Sequence, residues 1–88
     1  MNFEFDPEKS KVNQEKHGIS LIEAEQLWQV PAIEIQAKTV DEPRYMIIGK
    51  LNEKCYSCIY TLRGDKIRLI SARRSRKAEE QLYDDHIQ

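Results

Sequence analysis

Arg68-Leu-Ile-Ser-Ala-Arg-Arg-Ser-Arg-Lys-Ala-Glu-Glu-Gln-Leu-Tyr83 reads as a strand that runs into a cluster of positive charge and then into a helix. Residues 66–72 put Ile67 and Leu69 on one side of an extended chain and Arg68 and Ile70 on the other, the period of two that a pleated strand imposes. Ser75 can cap a final helix that runs to about residue 85. From residue 63 to residue 77 there are seven Lys or Arg and one acid, Asp65, although the whole chain is formally −1. Positive charge is therefore concentrated at a strand-to-helix junction, where its local field suits a polyanion.

Outward from this junction, the preceding chain reads as the rest of a sheet. Residues 33–37 alternate apolar and polar. Residues 45–51 form a richer run after the turn-like Asp41-Glu42-Pro43, and residues 55–62 are β-branched and aromatic. The loops between them are short: Asn52-Glu53-Lys54, then Arg63-Gly64-Asp65, whose glycine permits positive φ. Short loops between consecutive strands imply an antiparallel meander. Tyr56 and Tyr60 share one face of their strand, on the core or partner side.

The N-terminal third is helical. Residues 2–5 form a short strand with Phe3 and Phe5 on one side. Asp6-Pro7 then supplies a cap and a first-turn proline, and Gly18 stops the helix. Ser20 and Glu23 form a capping box for a second helix, whose apolar face is Leu21, Ala24, Leu27 and Trp28 and which Pro31 ends. The predicted order is β-α-α-β-β-β-β-α. That is an α+β domain over residues 1–88, with a small antiparallel sheet, an N-terminal helical hairpin and a C-terminal helix.

Composition narrows the function classes. Eighty-eight residues make one modest core, burying about 60% of the extended surface. No run of 18 apolar residues exists, and the N-terminus lacks a basic leader, so a cytoplasmic location is expected. Near-zero net charge argues against strong generic duplex binding. Cys55 and Cys58 suggest a redox pair or half a zinc site. Residues three apart on a strand point to opposite faces, however, so two free thiols are expected, with no metal and no cofactor.

The residues also carry a family resemblance. Phe3-Glu4-Phe5-Asp6-Pro7, Asn13, Lys16-His17-Gly18-Ile19, Ser20 and Glu23-Ala24 resemble the N-terminal signature of the BrnT toxins. Arg44, Ile48-Gly49, Tyr60-Thr61, Arg68, Ile70-Ser71-Ala72-Arg73-Arg74, Glu79 and Tyr83 continue the likeness in order. The resemblance implies a RelE-like ribonuclease fold and a toxin of a type II toxin–antitoxin system that cleaves RNA and arrests growth. It also implies a ribbon-helix-helix antitoxin like BrnA, in a complex with two copies of each that represses its own operon, so that operator DNA is met only through the antitoxin. Two positions depart from the family pattern. Phe5 stands where a Trp is frequent, and Ser75-Arg76 replaces an Ala-Thr pair, leaving Glu79 four residues after Ser75.

Metal-independent cleavage by the ribose 2′-OH needs a base, an acid, and cations for the charge that builds on the phosphorane. The catalytic candidates are His17, Arg68, Arg73, Arg74 and Glu79. The arginines suit phosphate oxygens and His17 is the side-chain type that exchanges protons near neutrality. Glu79 either takes a proton or pairs with Arg76 or Lys77. Lys16, Arg44, Arg76 and Tyr83 are substrate-binding candidates. Asn13 either makes a polar contact to the Lys16-His17 corner or faces solvent, and Trp28 is a core residue or an antitoxin anchor. The alternative is a non-catalytic binding module or corepressor that only docks its antitoxin or RNA.

Overall fold

The last strand is the spine against which both helical layers are set. A computed structural model describes residues 2–38 and 41–87. Its elements are β1 (Asn2–Glu4), α1 (Pro7–His17), α2 (Leu21–Ala24) continued by a 3₁₀ turn (Glu25–Gln29), β2 (Ala32–Ala37), β3 (Arg44–Leu51), β4 (Lys54–Arg63), β5 (Lys66–Arg74) and α3 (Lys77–Ile87). The fold is α+β in the predicted order. No helix among the described residues is long and apolar enough to cross a membrane.

The strands lie in the order β1-β5-β4-β3-β2. β2 to β5 form the expected antiparallel meander. β1 corrects the expectation of a wholly antiparallel sheet, because it pairs with β5 in parallel, Phe3 opposite Ile67 and Glu4 opposite Arg68. Alternation identifies a strand but says nothing of its neighbour's direction. Here the chain crosses over through α1 and α2 before entering at the far edge of the sheet, so β1 is left beside the last strand.

One face of the sheet carries α1 and α2. Ile19, Leu21, Ala24 and Leu27 pack there on Ile47, Cys58, Tyr60, Leu69 and Ala72. The second helix lasts one α-turn and then tightens, instead of continuing as α-helix to Pro31. Leu21, Ala24 and Leu27 are spaced by three, the pitch of a 3₁₀ turn, which puts all three against the core. Trp28 lies edge-on between Phe3 and Tyr60, with both centroid separations 5.1 Å. The opposite face carries α3, whose Tyr83 packs on Ile48 and Cys55.

α1 has no apolar stripe; its buried residues are Ser10 and Asn13. Ser10 Oγ accepts from Leu21 N at 3.0 Å. Asn13 Nδ2 donates to Ile19 O at 2.8 Å and Ala72 O at 2.7 Å, and its Oδ1 accepts from Ala72 N at 3.2 Å. The helix is docked by hydrogen bonds to backbone groups that would otherwise be buried without partners.

β5 is bulged. Tyr60 faces Leu69 and Ile59 faces Ser71, so Ile70 is the unpaired extra residue. The extra residue shifts the strand's alternation by one. Leu69 and Ala72, three apart, therefore both serve the α1/α2 core.

Candidate active site

The bulge decides where the basic junction points. Past it, Arg73 lies opposite Ser57 and Arg74 opposite Tyr56, so the two arginines project from opposite faces of the sheet.

On the α3 face, Arg73 makes a forked pair with Glu79: Nη1 to Oε1 and Nη2 to Oε2, both 2.8 Å. Glu79 Oε1 also accepts from Ser57 Oγ at 2.8 Å and from Arg76 N at 3.0 Å, and the hydroxyls of Ser57 and Ser75 meet at 2.7 Å. The contact from Arg76 N resolves the altered cap. Arg76 O accepts the first helical bond, from Glu80 N, so Arg76 is the cap residue and Glu79 the third residue of the helix. Half of a capping box survives, the return contact from Glu79, while Ser75 turns back to Ser57. The Arg73 fork holds the Glu79 carboxyl down at about 2, against the opposing effect of burial. Glu79 is therefore an anchored anion near neutral pH. Its expected role as a proton acceptor gives way to pairing, with Arg73 in place of Arg76 or Lys77.

On the α1/α2 face, Arg74 lies over the Tyr56 ring, 5.7 Å from its centroid, and no carboxylate is within ion-pair distance of it among the described residues. Tyr56 lines a shallow cleft of about 80 Å³ together with Gly18, Ile19, Glu23, Gln26, Leu51 and Asn52. Lys16 and His17 are exposed and immediately precede Gly18, which ends α1 in the left-handed region at φ 73° with its N–H on Gln14 O at 2.9 Å. Asn13, one turn before His17, ties this corner to Ala72, two residues before Arg74. Lys16 and His17 therefore adjoin one lining residue, Gly18, and Arg74 lies over another, Tyr56, while none of the three is itself part of the lining.

The other candidates lie elsewhere. Arg68 is at the β1 end of β5, bound to Glu4 at 3.0 Å. Arg44 begins β3 and is 4.0 Å from Glu42. Arg76 is exposed at the start of α3. Tyr83 is only 6% exposed, with Lys50 Nζ 5.6 Å from its ring centroid, because the spacing that suggested a phenol donor places it under α3. Three arginines close in sequence therefore do not form one phosphate cradle. Tyr56, Gln26 and Asn52 carried no site signal in the sequence, since the cleft is assembled from three separate segments.

Cys55 and Cys58 are free and lie in different clusters on opposite faces. Burial pushes the Cys58 thiol up to about 12 and raises Cys55 as well, so neither is a ready thiolate. Among the described residues, no three His, Cys, Asp or Glu side chains gather into a metal-holding group.

A family model described as "Ribonuclease toxin, BrnT, of type II toxin-antitoxin system" matches residues 5–79. No curated protein matches the chain. The family match begins at Phe5 and ends at Glu79, so it spans the Asn13 clamp, the Lys16-His17 corner and the whole Arg73–Glu79 junction. The chain belongs to the BrnT family of ribonuclease toxins of type II toxin–antitoxin systems.

Proposed function

We infer that this chain is a metal-independent, RelE-like endoribonuclease that cuts cytoplasmic RNA by attack of a ribose 2′-OH on the adjacent phosphate, inhibiting translation and growth. The observation that carries this reading is Arg74, which has no ion-pair partner among the described residues and lies over Tyr56, a residue that lines one cleft with Gly18, the residue next to the Lys16-His17 corner. Arg74 and Lys16 take the charge that accumulates on the phosphorane oxygens, which is the largest electrostatic demand of the step. His17 is the side chain that moves the proton, from the 2′-OH or to the leaving 5′-oxygen. Arg73 and Glu79 brace the junction from the opposite face and hold the start of α3. The products are a 2′,3′-cyclic phosphate and a 5′-OH.

The partner is a BrnA-like ribbon-helix-helix antitoxin, in a complex with two copies of each chain that covers the cleft and represses its own operon. The test is induced expression without the neighbouring antitoxin gene. Growth arrest is expected, with RNA fragments whose 5′ ends accept a kinase label without prior phosphatase treatment. A wild-type chain that leaves growth and purified RNA unchanged overturns the reading.

A further inference from the structure

The cleft beside Arg74 has the anatomy of a base pocket as well as of a phosphate site. Its apolar lining is the half-buried Tyr56 and Leu51 with the buried Ile19. The rest of its lining is polar in residue type: Glu23, Gln26 and Asn52. Asn52 is held at the mouth by a two-residue hairpin turn in which both Asn52 and Glu53 have positive φ (53° and 68°), closed by the Leu51–Lys54 pair. Arg74 lies over the Tyr56 ring but outside the cleft's lining, so a cation edges the pocket without filling it. Opposite Tyr56 on β3 stands Gly49, so β3 sets no side chain directly across from the ring.

The geometry points to a subsite for one unpaired guanine of the RNA, stacked on Tyr56 with its phosphate at Arg74. Proteins read single-stranded RNA by stacking a splayed base on an aromatic ring and hydrogen-bonding its pairing edge. Glu23 sets the choice of base. Its Oε1 accepts from Ser20 N at 3.0 Å, which leaves Oε2 and the second lone pair of Oε1 to accept. Guanine alone offers two adjacent N–H donors on its pairing edge to a carboxylate. The amides of Gln26 and Asn52 supply donors for the O6 and N7 side. This subsite rests on the ribonuclease reading and adds to it the base next to the cut.

The test is a titration of the full chain, followed by NMR, with guanosine 3′-monophosphate and its three counterparts, none of which is cleaved. Guanosine 3′-monophosphate is expected to move the amide signals of Gly18, Asn52 and Tyr56 and to bind more tightly than the other three. Tyr56→Ala is expected to weaken it about tenfold, the loss typical of one stacking ring. Tyr56→Phe keeps the ring and is expected to bind like wild type. Glu23→Gln retains the capping contact, since Gln serves there too, and is expected to erase the preference for guanine. No shifts at the cleft, equal affinity for all four nucleotides, or undiminished binding by a folded Tyr56→Ala chain each overturns the subsite. Binding is read without catalysis, so the two readings separate. A chain that binds guanosine 3′-monophosphate here but leaves RNA intact keeps the subsite and sinks the nuclease.

Discussion

Glu79 shows how one carboxylate can be removed from acid–base chemistry by its surroundings. Its side chain is 13% exposed and Arg73's is 23%, so solvent screens their fork only partly. The carboxyl is held at about 2, whereas an unfolded glutamate titrates near 4.5. A lowered folded-state pKa stabilises the fold above the unfolded value, and the contribution fades as the pH falls through the folded one. Glu79→Gln is therefore expected to lose about 2 kcal/mol of stability at pH 7. The gap to wild type should narrow below pH 4.5 and close near pH 2, as followed by urea unfolding across that range. Asn13 is the second residue whose chemistry is spent on the fold. Replacing it with Ala strands Ile19 O and both backbone groups of Ala72. Asn13→Ala should cost about 3 kcal/mol, the penalty of buried groups without partners, measured by the denaturation midpoint at unchanged m-value.

At the scale of elements, the turn after α1 and the bulge in β5 do the positioning. Gly18 has φ 73°, and a Cβ there would meet nothing within 4 Å. The cost of Gly18→Ala is thus backbone conformation alone, about 1 kcal/mol. Thermal unfolding should show that loss, and Gly18→Asn should recover part of it, because Asn tolerates the left-handed region. The bulge at Ile70 has a larger consequence. Without the extra residue, Arg74 would fall on the α3 face and Arg73 on the α1/α2 face, and the Glu79 fork could not form in its present register. Alternation in the sequence predicted β5 and its facing residues up to Ile70. It carried no mark of the bulge, because Ile70 is β-branched and apolar like any strand residue. The 3₁₀ turn was written more openly, in the spacing of three from Leu21 to Leu27, although the capping box before it pointed to a longer α-helix.

Across the whole molecule, the arrangement of charge matters more than its sum. Of the cations in the basic stretch, Arg63, Lys66, Arg68 and Arg73 all lie within 4.0 Å of an acid contributed by another segment. Arg74, Arg76 and Lys77 have no such acid among the described residues, and of these three Arg74 lies over Tyr56, which lines the cleft. Arg74→Ala should reduce RNA cleavage about 10²-fold, as loss of one transition-state donor does, with the unfolding curve unchanged. Arg68→Ala should leave cleavage within a few-fold of wild type and instead loosen β1, read by hydrogen exchange at residues 2–4. Equal losses of activity in both variants would return Arg68 to the site.

By itself the sequence determined the element order, both helix caps at the N-terminus, the hairpins, the separation of the two cysteines and the family. All of these depend on residues near one another in the chain, on local backbone preference and on a repeating pattern. Only the tertiary structure decided that β1 runs parallel to β5, that Arg73 and Arg74 part to opposite faces, and that Tyr56 joins Gly18, Gln26 and Asn52 around a cleft. Those are matters of register between distant segments. One unpaired residue in a strand changes such register, and no local pattern in the sequence records it.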